Sequence, residues 1–128
     1  MAYGIRIEYP PGGQAVSEWS ELRGTFEVAP GVSVRPFMVD LARGLYWPQQ
    51  PLTFDTAVGT WSARVHLGGP PGTQRTVLVA TIGPLAAELC RHYDEVGQTT
   101  GKHEALTDLP ADAVECDRVE VVKGSPSR

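Results

Sequence analysis

The chain has 128 residues, 41% of them hydrophobic and 20% charged, with a formal net charge of −4. That balance excludes intrinsic disorder and is enough, at this length, for one self-sufficient core. It also argues against nucleic acid as a partner, because the only lysines are Lys102 and Lys123 and the nine arginines are scattered along the chain.

Fourteen glycines and eleven prolines divide the sequence into short pieces. Ile5, Ile7 and Tyr9 alternate with Gly4, Arg6 and Glu8, which predicts a first strand ending at Pro10-Pro11-Gly12-Gly13. Ala15 and Val16 read as a short edge segment. Leu22, Gly24, Phe26 and Val28 then share one face against Glu21, Arg23, Thr25 and Glu27, before a turn at Ala29-Pro30-Gly31. In the next strand the phase slips: Val32 and Val34 set one face, and Phe37, Val39 and Leu41 set the other. A β-bulge at Arg35-Pro36 is the expected way to restore a single inward face.

Leu45-Tyr46-Trp47 stops at Pro48, and Leu52 and Phe54 form a short alternating piece. The clearest strand follows, with Trp61, Ala63, Val65 and Leu67 on one side and Thr60, Ser62, Arg64 and His66 on the other. After a reversal at Gly68-Gly69-Pro70-Pro71-Gly72, residues 76–82 are apolar on both faces, the pattern of a strand inside a sheet and covered on both sides. Pro84 at a helix start, the spacing of Leu85, Leu89, Tyr93 and Val96, and Gly97 as a stop predict one short helix over 84–96, lying across the preceding strand. Residues 98–112 read as a loop. In the final strand Cys116 is out of phase with Val119 and Val121, and residues 124–128 read as a flexible tail beyond a single domain of residues 1–123.

The count is about seven strands with frequent turn signals, which predicts a mostly β chain: a two-sheet antiparallel sandwich of the immunoglobulin-like kind with one short helix. Three segments, Gly24-Thr25-Phe26-Glu27-Val28, Tyr46-Trp47-Pro48-Gln49 and Gly59-Thr60-Trp61-Ser62, resemble bacterial immunoglobulin-like and fibronectin type III-like modules over residues 3–83. The resemblance implies a non-catalytic spacer, adhesive unit or docking part of a larger protein. The chain departs from it in lacking the antibody-type cysteine pair and in placing a helix before the last strand.

The chemistry-bearing groups form no recognised catalytic or metal-binding motif. His66, His92 and His103, with Cys90 adding a thiolate, fit no zinc spacing, and Cys90 and His92 point in different directions on a helix. The serines lack a nucleophile-elbow setting. Gly68-Gly69-Pro70-Pro71-Gly72-Thr73 lacks the lysine and the backbone donors of a phosphate loop, so a hairpin turn is the reading. Asp108, Asp112 and Asp117 lack the density of a calcium loop. No catalytic, cofactor-binding or metal-ligating residue is therefore assigned.

Cys90 and Cys116 read as free, buried or half-buried thiols. No stretch reaches the ~20 apolar residues of a bilayer span and the N-terminus lacks a signal-peptide core, so a cytoplasmic protein without a membrane partner is expected, or a secreted one if the piece is excised from a larger exported chain.

Trp19, Tyr46, Trp47, Trp61 and Tyr93 remain as aromatic residues that could include a sugar-stacking platform or an anchor for a protein partner. Trp61 belongs to the core, whereas Tyr46 and Trp47, adjacent on an extended chain, face opposite ways, leaving one for the surface. The expectation is an interaction or accessory module that docks a protein partner or a neighbouring domain by an edge strand or loop cluster. Tyr46, Trp47, Arg64 and His66 are its candidate contact residues. A small-molecule ligand is not expected. The alternatives are a carbohydrate-binding module using exposed aromatics and, with least support, a small hydrolase or metal-dependent enzyme.

Overall fold

The computed structural model describes residues 4–16, 19–27, 33–67, 70–101 and 105–124. The expected turns at Ala29-Pro30-Gly31 and Gly68-Gly69, together with His103 and the tail from residue 125, lie outside them. In chain order the elements are β1 (Arg6–Tyr9), β2 (Ala15–Val16), β3 (Trp19–Thr25), β4 (Ser33–Asp40), β5 (Leu45–Pro48), β6 (Thr53–Asp55), β7 (Thr60–His66), β8 (Gln74–Ile82), α1 (Pro84–Thr100) and β9 (Ala113–Lys123). The protein is mostly β, in two sheets of order β1-β3-β7-β6 and β2-β9-β8-β4-β5, with one helix. All strand pairs are antiparallel except β2 with β9.

The alternation in β7 decides how the sheets meet. Trp61, Ala63 and Val65 are buried, and with Leu22 of β3 they face Val34, Val77, Val79, Val119 and Val121 of the five-stranded sheet. Burying each Val or Leu contributes about 1.5–3 kcal/mol. The Trp61 indole lies over Gly24, its direct partner across the β3–β7 ladder. Its Nε1 donates to the carbonyls of Arg6 (3.2 Å) and Thr25 (3.1 Å). A side chain at position 24 would put its Cβ 1.9 Å from the Arg6 carbonyl and 2.4 Å from the indole, so only glycine fits beneath this tryptophan.

A second core fills the far side of the five-stranded sheet. Phe37, Val39, Leu78, Ala80 and Ile82 pack there against Ala86 and Cys90 of α1, which is the cover expected for a strand apolar on both faces. The same arrangement corrects the expected bulge at Arg35-Pro36. The β4–β8 register runs unbroken from Ser33 to Val39, because both phases of β4 are wanted: Val34 faces the other sheet, and Phe37 and Val39 face the helix. Pro36 is tolerated because its missing N–H points to the side where β5 has just ended; its carbonyl accepts from Gln49 N at 2.9 Å there. The bulge falls in β9 instead. Val79 pairs with Asp117 and Ala80 with Glu115, leaving Cys116 as the extra residue, which reconciles its phase with Val119 and Val121.

The helix runs one turn beyond its predicted stop. Gly97 is buried within it, and the left-handed terminator is Gly101 (φ 72°), whose N–H reaches the Gly97 carbonyl at 2.8 Å. At the other end Gly83 has no capping side chain, and the cap comes from Asp112, whose carboxylate accepts from Leu85 N and Ala86 N at 2.8 Å each. The sheet borders are also engaged. Tyr46 of β5 exchanges backbone hydrogen bonds with Leu106 (2.9 and 2.7 Å), and Ile7 N of β1 donates to Asp117 Oδ2 at 2.8 Å. The two cysteines are free thiols.

Two substitutions test this architecture. Trp61→Ala should cost ~3–5 kcal/mol in chemical denaturation, and a parent-like midpoint would show that the indole is not the core anchor. Asp112→Ala should cost about 1–2 kcal/mol and lower the helical signal before the main melt, with Asp112→Asn losing less because an amide oxygen still accepts.

Candidate binding cleft

A cleft of about 590 Å³ opens where β5 ends and the chain crosses to the other sheet. Its base is fixed by Gln49, which makes four hydrogen bonds to three strands, β4, β5 and β7. Gln49 N donates to the Pro36 carbonyl, its Oε1 accepts from His66 N at 2.8 Å, its Nε2 donates to the Trp47 carbonyl at 3.2 Å, and its carbonyl accepts from Arg35 Nε at 2.6 Å. Arg35 lies in the helix-facing phase of β4 and is buried, so its charge requires a partner. Asp94 of α1 supplies it, accepting from Arg35 Nη2 at 3.0 and 2.7 Å. Helix, sheet and crossover are thereby held in one register around the cleft.

One wall belongs to the five-stranded sheet. Met38 lies opposite both Trp47 and Val77, and Arg75, two residues before Val77, shares their face, so Met38, Trp47 and Arg75 stand together. The other wall comes from the ends of β3 and β7. Trp19 lies opposite His66, their rings 4.7 Å apart at 51°, and the Arg64 guanidinium sits 5.1 Å from the Trp19 ring centre. Trp19 is 52% exposed despite these neighbours.

Three arginines line this space, and the acidic groups beside them are already engaged. Arg43 pairs with Asp40 at 2.7 Å, and that guanidinium, aided by Arg75, holds the Asp40 carboxyl below the usual carboxylate range despite its burial. Asp94 is neutralised by Arg35. Arg64 has the Trp19 ring and no carboxylate partner among the described residues. Arg75 Nη1 donates to the Gln74 carbonyl at 3.0 Å, and its buried Nε has no acceptor among the described residues. A chain of net charge −4 thus carries a locally cationic, aromatic-walled cleft.

Three of the four residues singled out from sequence, Trp47, Arg64 and His66, line the cleft. Tyr46 does not: it faces the opposite side of β5 and packs against the helix-side core, so it forms no common platform with Trp47. Trp19 and Tyr93, weighed among the aromatic residues but not chosen as contacts, also line it, as do Arg75 and Asp94, which were not foreseen. Extending the outward phase of Glu21 and Arg23 back by one step would have placed Trp19 on the surface. No local signal marks Arg35 with Asp94, whose meeting depends on the helix crossing the sheet.

The other groups weighed from sequence are dispersed. Cys90 is buried in the helix-side core and Cys116 packs against the inter-sheet core, and burial pushes both thiols up, away from the reactive thiolate form. His92 is exposed on α1. Asp112 caps the helix and Asp117 holds Ile7, so neither is gathered with Asp108. Among the described residues no cluster of three or more His, Cys, Asp or Glu side chains is suited to a metal ion. A shallower hollow on the outer face of β3 and β7 is lined by Thr25, Thr53, Thr60 and Ser62, and its one exposed-side aromatic, Tyr9, is covered by Arg23 at 4.6 Å. No family model matches the chain, and no curated protein is similar to it in sequence.

Tyr93 gives the cleft a titration signature. Burial, with the adjacent Asp94 carboxylate adding to it and Arg35 opposing, pushes its phenol from 10.0 up to about 12. Because the folded value lies above the unfolded one, the associated stability is complete below pH 10.0 and is lost as pH rises towards about 12. Phenolate absorbance should show a late phase that Tyr93→Phe removes; titration of every tyrosine in one early phase would contradict the burial of this ring.

Proposed function

We propose that this chain is a non-catalytic, immunoglobulin-like interaction module that docks a protein partner or a neighbouring domain in the Trp19–Trp47 cleft. Strand order supports the fold half of this reading. The sheet β1-β3-β7-β6 runs in the order of the A, B, E and D strands of an immunoglobulin domain, and β9-β8-β4-β5 in the order of G, F, C and C′, with the helix inserted before the last strand.

The observation that carries the functional half is Trp19. A large aromatic side chain, half exposed, is steadied by His66 and Arg64 on the rim of a cleft that Trp47 also lines. Tryptophan, tyrosine and arginine around a concave centre are the residue types that dominate protein–protein binding energy. The carbohydrate alternative is weaker, since Tyr46 and Trp47 face apart.

A photo-crosslinking amino acid placed at position 19 should give a discrete adduct in cells expressing the chain. The control is the same probe at Val58, which is 68% exposed in the turn at the far end of β7. No adduct from position 19, or identical adducts from both positions, would count against the cleft as a docking site.

A further inference from the structure

We infer that the occupant of the cleft is an acidic peptide segment of the partner protein, whose carboxylates meet Arg75 and Arg64 and whose apolar side chains lie against Trp19 and Trp47. This rests on the docking role proposed above and adds the chemistry of the ligand. Three observations converge on it. Among the described residues the nearby acidic groups are committed to other arginines: Asp94 to Arg35 by two hydrogen bonds, Asp40 to Arg43, and Glu21, opposite Arg64 in the ladder, to Arg23. That leaves Arg64 and Arg75, which line the same cavity, as cations without a salt bridge to a carboxylate among the described residues.

The second observation is directional. Arg75 lines the cleft with one guanidinium nitrogen, Nη1, turned back to the Gln74 carbonyl, and a carboxylate is the group whose two oxygens match a guanidinium edge. The third is the setting. Met38, Trp47 and the exposed ring of Trp19 are apolar surfaces beside the cations, so the site suits a carboxylate flanked by an apolar or aromatic residue better than an inorganic anion. A lipid surface is a poorer match, because the arginines stand inside a recess and the chain as a whole is acidic. Guanidinium groups also tolerate partial desolvation in such a recess better than ammonium groups do.

The test is selection from a displayed random-peptide library on the intact chain, followed by titration of the selected synthetic peptides against intrinsic tryptophan fluorescence. Selected peptides should be enriched in Asp or Glu next to an apolar residue. Replacing those acids by Asn or Gln should weaken binding by about tenfold or more, and affinity should fall as salt is raised. Arg75→Gln and Arg64→Gln should each reproduce the loss, while Arg75→Lys restores only part of it and all three variants melt like the parent. If Arg75→Gln fails to fold, the Arg64→Gln variant and the Asn/Gln peptides carry the test.

Selection of neutral or basic peptides, no enrichment, equal binding to Arg75→Gln and the parent, or preferential co-sedimentation with phosphatidylserine vesicles would overturn the proposal. A position-19 crosslink to a segment lacking acids would sink the carboxylate anchor alone and leave the docking role standing.

Discussion

Strands β4 and β8 present apolar side chains to both sides, and the rest of the molecule answers that constraint. One face is closed by the four-stranded sheet through Trp61, Val65 and Leu22, and the other by α1 through Ala86 and Cys90. A sheet covered twice is rigid at its centre, so variation is confined to its ends and corners. The cleft occupies one such corner, where β5 stops and the inter-sheet core has thinned to Met38 and Trp47.

Electrostatics follow from the same geometry. Arg35 falls in a phase of β4 that must face the helix, and a guanidinium placed there needs a carboxylate, which α1 delivers as Asp94. That pair ties the helix to the crossover at Gln49, and Gln49 in turn fixes His66 and, through it, the wall that carries Trp19. The commitment of Asp94 and Asp40 to their own arginines is what leaves Arg64 and Arg75 to give an acidic protein a cationic recess.

Much of the fold was legible in the residues because period-2 alternation is a local signal. Trp61, Ala63 and Val65 announced the inner face of β7, and the two-sided run from Thr76 to Ile82 announced the central strand and its helical cover. The errors share a cause. The slip at Arg35-Pro36 looked like a bulge only under the assumption of a single buried face, and Gly97 looked like a stop because packing against a sheet is invisible in one dimension. Of the cleft, Trp47, Arg64 and His66 were readable as outward or leftover side chains. Arg75 and Asp94 were not, since their role comes from the corner between two sheets and a helix, brought together by contacts tens of residues apart.

The borders of the two sheets have a consequence for how the molecule behaves in a crowded solution. The outward backbone groups of Tyr46 are taken by Leu106, Pro48 beside it has no N–H to offer, and the Ile7 amide is capped by Asp117. An incoming strand therefore finds few open ladder positions on these sides, which disfavours edge-to-edge polymerisation. Contacts at these two borders are left to side chains, so single substitutions there alter the surface without exposing a backbone template for aggregation.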